Sequence, residues 1–327
     1  MSGIWVVIEE REGRVSRGSW EAVAAGQKLA ALTGQAVNAV VLGAQTEPLS
    51  TEVAAKALGK VVCVEHPLLT AYTSDGFTAA LQQFFKAEKP EYVLFPHTYQ
   101  VRDYAPKLAA RLDQALIGDV TAIADGPVFT RQLMQGRLNG SYRHTSDGPC
   151  LISVQAGAFR AEELAAAATA AAEVTVFSPS IDPAQIRTKP SERFRGAAQT
   201  VDLTAAQMIV GVGRGIKDAD KLPMVQELAT ALGAELGASR PICDNGWLPM
   251  ERQIGSSGQT ISPKLYIALG ISGAIQHLVG IKGSQCVVAI NKDPDAPIFE
   301  AADYGIVGDL AELVPVLTEA VKAAAQQ

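Results

Sequence analysis

Short apolar runs and helical stretches alternate along this chain, and no other sequence feature limits its fold as strongly. The first half is predicted to contain strands at residues 4–9, 38–42, 61–64 and 92–96, with helices at 19–33 and 73–88. Repeated strand–helix–strand units with short connections favour a parallel sheet joined by right-handed crossovers. The sequence therefore predicts a parallel α/β sheet in the first half.

The pattern changes beyond residue 119, where helical spacing fades. Apolar runs at 128–133, 138–144 and 151–155 predict antiparallel strands added to the first sheet. Residues 178–200 then hold three prolines, many polar side chains and no sustained apolar period, which is typical of a linker.

The alternation resumes after that segment. Strands are predicted at 208–212, 264–269, 287–290 and 304–307. Helices are predicted at 220–232, from a Gly-Ser turn after residue 269 through 276, and at 310–325. We predict an N-terminal α/β domain over 1–188, a linker over 189–200 and a C-terminal Rossmann-like α/β domain over 201–327.

Composition excludes several classes of function. The net charge is −6, and nucleic-acid binding through phosphates needs clustered Lys and Arg, so we expect no nucleic-acid ligand. A membrane-spanning helix needs about 18 consecutive apolar residues. The longest candidate, residues 164–172, is short and flanked by glutamates, and is predicted to be an ordinary helix. The first residues lack the layout of a signal or transit peptide, which predicts a cytoplasmic protein without membrane insertion.

The cysteines are scattered and form no CxxC pair. Zinc sites and disulfide frameworks need closely spaced or paired ligands, so we expect no metal and no disulfide. The four residues are Cys63, Cys150, Cys243 and Cys286.

Gly-rich and Ser-rich loops follow the predicted strands of the second domain, at the edge where open α/β sheets bind ligands. They lie at 211–215, 237–241, 255–260 and 270–274. The first resembles the beginning of the dinucleotide fingerprint GxGxxG but has Ile216 where the last glycine belongs. Each loop also has an ordinary alternative, a tight turn or a surface loop. Together they contain few acid–base candidates and suit a large anionic cofactor.

Ser272 offers a competing hypothesis, a serine hydrolase. A nucleophile elbow needs GxSxG, and Ala274 replaces the last glycine here. His277 is five residues further along, which on one helix points away from Ser272, and no local carboxylate completes a triad.

Longer strings carry a more specific signal. AINKDPDAPIF over 289–299, LYIALGISGAIQH over 265–277, GASR over 237–240 and ADYG over 302–305 resemble the alpha subunit of electron transfer flavoproteins. The resemblance runs from about residue 210 to the C-terminus in exact strings, whereas the first domain matches in pattern and length.

The resemblance implies a heterodimer with a beta subunit and FAD held mainly by the C-terminal domain. It implies electron transfer from acyl-CoA dehydrogenase-like flavoproteins to a quinone reductase-type acceptor, as in fatty acid β-oxidation. The chain would be an electron carrier rather than a self-contained enzyme, with no catalytic residues of its own.

Family motifs also imply which residues contact FAD. Arg214 and Arg240 would lie near the flavin, and Ser239 and Ser272 near the pyrophosphate, with backbone groups through His277. The other positions carried over are Ile254, Gly255, Ser256, Ser257, Gly273, Ala274, Ile275 and Gln276 around the isoalloxazine and pyrophosphate, and Asn291, Asp309 and Leu310 at the adenosine end.

Flavin chemistry agrees with these roles. Reduction places negative charge near N1 and the C2 carbonyl, where a cation or an N–H donor raises the flavin potential. Arg240 supplies a permanent charge, and His277 can supply an N–H.

One loop departs from the usual family pattern GQTGK. This chain has GSSGQ over 255–259, so Ser257 keeps a hydroxyl, Ser256 loses a long amide and Gln259 loses a positive charge. The variation leaves open a bifurcating flavoprotein that oxidises NADH with a second FAD in the beta subunit.

Overall fold

The computed structural model describes residues 3–134, 136–164, 171–191 and 203–324. The chain divides into two compact units, Met1–Arg193 and Phe194–Gln327. Most of the helix predicted at 164–172, and residues 192–200 of the predicted linker, lie outside the described residues. Within the described helices, none is long and apolar enough to cross a membrane.

The first unit is built around one large sheet. Its strands are β1 (Ile4–Ile8), β2 (Glu10–Arg11), β3 (Arg14–Val15), β4 (Val37–Gly43), β5 (Lys60–Glu65), β6 (Tyr92–Pro96), β7 (Leu116–Ala124), β8 (Val128–Leu133), β9 (Leu138–Tyr142), β10 (Cys150–Val154) and β11 (Glu173–Phe177). Its helices are α1 (Arg17–Thr33), α2 (Glu47–Ala54), α3 (Ser74–Glu88) and α4 (Tyr99–Leu112).

The strand order in this sheet is β11-β5-β4-β1-β6-β10-β7-β8-β9, and β2 pairs with β3 in a separate hairpin. Strands from β11 to β7 pair in parallel, whereas β8 and β9 are antiparallel, which confirms the antiparallel strands predicted at 128–133 and 138–144. The prediction that 151–155 forms a third antiparallel strand is wrong. All five residues of β10 are buried, because it lies parallel between β6 and β7 with both faces covered.

The proline-containing segment just before the predicted linker packs on the first unit. Ile181 is buried in its core. Gln83 bonds both backbone groups of Ser180, at 2.8 and 3.0 Å. The N–H of Arg187 donates to the carboxylate of Asp75 at 3.0 Å, and Lys107 and this N–H hold the pKa of that carboxyl below its usual range.

The second unit contains a smaller sheet. Its strands are β12 (Met208–Val212), β13 (Glu235–Ala238), β14 (Leu265–Leu269), β15 (Val287–Asn291) and β16 (Tyr304–Val307), and its helices are α5 (Leu222–Leu232), α6 (Arg240–Asp244), α7 (Ile275–Ile281) and α8 (Leu310–Ala324). The five strands all pair in parallel, in the order β13-β12-β14-β15-β16, which confirms the Rossmann-like fold. The strand order reverses between β12 and β14, and ligands of such sheets bind at that switch point.

The helix after β14 ends later than predicted. It spans Ile275–Ile281 rather than ending near 276, and Ser272 lies in the predicted turn before it. Gly270 and Gly273 have φ of +61° and +85°, values that other residues rarely adopt, and these conformations delay the first helical residue. The turn therefore separates His277 from the end of β14.

Candidate cofactor-binding site

The predicted site residues gather at one edge of the second sheet. Because its strands are parallel, the segments after them meet at their carboxyl ends. Arg214 follows β12, Ser239 and Arg240 follow β13, residues 272–277 follow β14, Asn291 ends β15, and Asp309 and Leu310 follow β16.

Glycines let the loops after β12 and β14 touch backbone to backbone. The Gly215 N–H donates to the Gly270 carbonyl at 2.9 Å. A Cβ on Gly213 would lie 2.4 Å from the Gly270 oxygen, and one on Gly215 would lie 2.7 Å from the Gly270 Cα. Close approach at the switch point therefore explains two glycines of the 211–215 loop. Gly211 lies inside β12 rather than in that loop.

A cavity of about 130 Å³ opens beside this contact. Its lining includes the backbone of Gly215 and Gly270 and three lysines, Lys217, Lys221 and Lys292. Lysine ammonium groups provide the charge that binds phosphate. These lysines gave no local sequence signal, because Lys217 and Lys221 follow β12 whereas Lys292 follows β15, and their convergence depends on the fold.

Asn291 and Asp309 hold this edge together. Asn291 donates to the Ile271 carbonyl at 2.9 Å and accepts the Asp293 N–H at 3.1 Å. Asp309 accepts the Ala311 N–H at 2.9 Å and pairs with Lys292 at 2.5 Å. The hydrogen bond from Lys292 is the main cause that lowers the pKa of the Asp309 carboxyl. Both side chains therefore lie at this edge of the sheet and also hold its loops in place through hydrogen bonds.

The loop that begins at Gln253 is hydrogen-bonded to β13 and α7. The Ile254 N–H donates to the Ala238 carbonyl at 2.8 Å, and the Ser256 N–H donates to the Gln276 carbonyl at 2.8 Å. Gln253 is buried and donates to the exposed Ser257 hydroxyl at 2.9 Å. Its Oε1 is buried without a hydrogen-bond partner among the described residues. Sequence analysis missed Gln253, because its burial is not visible in the local pattern.

His277 is a buried titratable group of the second unit whose pKa is strongly shifted. Its Nε2 lies 2.8 Å from the Tyr266 hydroxyl, and its Nδ1 is buried with no hydrogen-bond partner in the described chain. Burial lowers the pKa of His277 to about 4, and the neighbouring Ile254 carbonyl acts weakly in the opposite direction. The ring is therefore neutral at physiological pH.

The remaining predicted residues are mostly at the surface. Arg240 is 68% exposed and its Nε lies 3.3 Å from Asp244. Arg214, Ser272, Ala274, Ile275 and Gln276 are exposed, whereas Ser239, Ile254, Gly255, Gly273 and Leu310 are buried. Two guanidinium groups at this edge remain accessible to a ligand.

This geometry gives the hydrolase hypothesis no support. Ser272 is exposed in a turn, and His277 is buried with Nε2 bonded to Tyr266. A histidine whose pKa lies near 4 is a weak base for activating a hydroxyl.

The first unit has a Ser–His–Asp cluster that the sequence did not indicate. His97 Nδ1 lies 2.7 Å from the Ser153 hydroxyl, which also accepts the Asp119 N–H at 3.1 Å. Ser153 is 1% exposed, and the Asp119 carboxylate lies 3.9 Å from His97 Nε2, beyond hydrogen-bond range. A substrate cannot reach this hydroxyl, so the cluster instead joins β6, β7 and β10.

Comparison with known proteins agrees with this arrangement. A family model described as "Electron transfer flavoprotein domain" matches residues 4–182, and one described as "Electron transfer flavoprotein FAD-binding domain" matches residues 202–282. An electron transfer flavoprotein subunit alpha from Thermoanaerobacterium thermosaccharolyticum is 39% identical over 98% of this chain and 97% of its own length. The chain belongs to the electron transfer flavoprotein alpha-subunit family.

Other members of this family are similarly close. The subunit alpha of Bacillus subtilis is 39% identical over 97% of this chain and 96% of its own length. An acryloyl-CoA reductase electron transfer subunit beta from Anaerotignum propionicum is 34% identical over 98% of this chain and 95% of its own length.

The second unit is accordingly an FAD-binding domain, as predicted. Its residues fit that cofactor. The unpaired Gln253 Oε1 and His277 Nδ1 suit a ring that both donates and accepts hydrogen bonds, and the lysine-lined cavity suits phosphate.

Proposed function

We propose that this chain is the FAD-carrying alpha subunit of a heterodimeric electron carrier, completed by an electron transfer flavoprotein beta subunit. The observation that carries the proposal is the meeting, at one sheet edge, of unpaired buried polar atoms, accessible arginines and a lysine-lined cavity. Among the described residues of the second unit, His277 is the one histidine, and it bonds Tyr266 rather than a nucleophile. Such an edge binds and tunes a cofactor.

Each part of the edge has its own task in this proposal. Ile254, Gly255, Ser256 and Ser257 form the wall beside the flavin, and His277 faces its pyrimidine side. Ser239, Ser272 and the backbone of residues 273–277 bind the pyrophosphate. The adenosine end lies by Asn291, Asp309 and Leu310, beside the three lysines.

Electron transfer then depends on how the chain sets the charge around the cofactor. Bound FAD supplies one-electron redox chemistry. The guanidinium of Arg240 favours the reduced cofactor. Its side chain is 68% exposed and its ion pair with Asp244 lies at the surface, so it can turn toward the ligand.

Acyl-CoA dehydrogenase-like flavoproteins are the proposed donors, and a quinone reductase-type protein is the proposed acceptor. The acryloyl-CoA reductase relative supports a link to acyl-CoA chemistry. The test is stopped-flow mixing of the FAD-loaded heterodimer with an acyl-CoA dehydrogenase and its substrate. Bleaching of the carrier flavin on mixing is expected, and no bleaching with any acyl-CoA dehydrogenase would overturn these donors.

A bifurcating complex is the second candidate, which the variant GSSGQ loop over 255–259 leaves open. That complex would hold a second FAD in the beta subunit and would be bleached by NADH alone. The simple carrier predicts no bleaching by NADH without a dehydrogenase, so one anaerobic titration separates the two.

We also propose that the second unit moves on the segment 189–200 to present its flavin to partners. The polar composition of that segment and the attachment of residues 180–187 to the first unit support this boundary. Removing a few residues from 189–200 should slow transfer to both partners and leave FAD bound. Unchanged transfer rates would contradict the motion.

A further inference from the structure

Tyr266 and His277 form an isolated buried pair beneath the edge of the second sheet. The Tyr266 hydroxyl lies 2.8 Å from His277 Nε2, and the ring centroids lie 6.0 Å apart. Tyr266 is 0% exposed and His277 is 5% exposed. Water therefore has no access to relieve an unfavourable arrangement of protons between them.

Counting donors and acceptors fixes the direction of this hydrogen bond. If Nε2–H donated to the phenol oxygen, the hydroxyl proton and the bare Nδ1 would both lack partners in the described chain. If the hydroxyl donates to Nε2, only the Nδ1–H is left, and the Ile254 carbonyl lies beside the ring. An unmet buried polar group costs about 1–3 kcal/mol, so the second arrangement is favoured. Burial also keeps the hydroxyl protonated, by raising the pKa of Tyr266.

Gly211 makes room for this pair. A Cβ on Gly211 would lie 2.0 Å from the Tyr266 hydroxyl oxygen and 2.6 Å from its Cζ. Any side chain on this residue of β12 would push the phenol away from His277. The requirement explains a glycine inside a strand, where glycine is otherwise unfavourable.

We propose that Tyr266 is a positioning residue for the FAD site, whose hydroxyl donates to Nε2 of His277 and so keeps the ring proton on Nδ1. The imidazole is then held as a hydrogen-bond donor on the side of the 254–257 loop, the loop proposed to lie beside the flavin. Gly211 is part of the same arrangement, because it leaves room for the Tyr266 hydroxyl. The role of His277 toward FAD rests on the proposed function, whereas the proton position does not.

The test is the tautomer of His277, read from long-range ¹H–¹⁵N spectra of the heterodimer with FAD removed. His277→Gln identifies the resonances. A protonated Nδ1 with a bare, hydrogen-bonded Nε2 is expected in the unmodified protein, and a protonated Nε2 would overturn the proposal without any variant. The tautomer measurement tests the proton position even if FAD binds elsewhere. A failure of FAD to shift the His277 resonances would show that FAD does bind elsewhere.

Tyr266→Phe removes the donor and keeps the ring. The His277 spectrum should then change toward a protonated Nε2, and the Kd for FAD should rise about 3- to 10-fold, the value of one hydrogen bond. Gly211→Ala should produce the same spectral change. Tyr104→Phe, at a buried tyrosine of the first unit, is the matched control and should change neither quantity. An unchanged His277 spectrum in Tyr266→Phe would contradict the proposal.

Discussion

The N–H of Ser256 donates to the carbonyl of Gln276 at 2.8 Å, which ties the loop beside the proposed flavin to the first turn of α7. A Cβ on Gly255 would lie 3.0 Å from the same carbonyl, so the two segments are also in close contact. His277 follows Gln276 directly. Any change that separates loop and helix therefore displaces the imidazole and the loop together.

Gly280→Ala tests this contact. Alanine is favoured over glycine in a helix by about 1 kcal/mol, which alone would stabilise α7. The new Cβ would lie 2.5 Å from the Gly255 backbone, however, and overpacking costs about 1–3 kcal/mol or more. We expect lower stability in urea denaturation and weaker FAD retention.

Gly18→Ala is the control for that change, since its new methyl would meet a single Pro96 side-chain carbon at 3.1 Å. FAD retention should be unchanged there. A stabilised Gly280→Ala protein with normal FAD binding would show that the loop and α7 are not in contact.

The buried imidazole predicts a pH dependence of stability. The pKa of His277 is about 4 in the folded protein and about 6.5 in the unfolded chain, so the unfolded state binds the extra proton first. The stability from the neutral ring is complete above pH 6.5 and falls as the pH drops toward 4, by about 3 kcal/mol at most.

Urea denaturation of the FAD-free heterodimer at pH 7.5 and pH 5 measures this loss. His277→Gln should show a smaller loss between the two pH values, because a glutamine takes up no proton. His144→Gln controls for removing an imidazole from the first unit. Equal losses in the unmodified protein and in His277→Gln would contradict the buried neutral ring.

The sheet and its binding edge could be predicted from the sequence, because strand–helix alternation and loop glycines are local signals. The placement of 151–155 could not, since a run buried on both faces reads alike whether its neighbours are parallel or antiparallel. Strand β13, which carries Ser239 and Arg240 at its end, was also missed, as four residues give too short a pattern.

The site residues could be predicted from the sequence segments that resemble the family, whereas the hydrogen bonds among them could not. Tyr266 and His277 both lie in the segment over 265–277 that resembles the family, yet their contact depends on the turn through Gly270 and Gly273. Gln253 and the three lysines gave no local signal, because their roles arise from burial and from convergence of separate strand ends.

Arg240→Lys keeps a charge and loses the planar guanidinium. If Arg240 lies by the flavin, FAD should stay bound while its reduction potential falls, because a compact, strongly hydrated ammonium stabilises the reduced cofactor less well. Spectroelectrochemical titration measures the potential. Arg137→Lys, at an exposed position of the first unit, should leave it unchanged. No change in Arg240→Lys would place this side chain away from the flavin.

Ser272→Ala separates cofactor binding from the hydrolase hypothesis. Loss of a hydrogen bond to phosphate should weaken FAD binding by about 1–3 kcal/mol, or roughly 5- to 150-fold in Kd. Fluorescence titration of the FAD-free heterodimer measures this change. Ser146→Ala, on an exposed loop of the first unit, should bind FAD normally. Unaltered FAD affinity in Ser272→Ala would remove this serine from the site.

This chain is proposed to hold one FAD in an electron carrier completed by a beta subunit. The most direct test is an absorption spectrum of the purified heterodimer, with flavin released and counted per dimer. One FAD per heterodimer is the predicted result. Two FAD per heterodimer would contradict the simple carrier in favour of the bifurcating complex, and a colourless heterodimer that takes up no added FAD would contradict the flavin site itself.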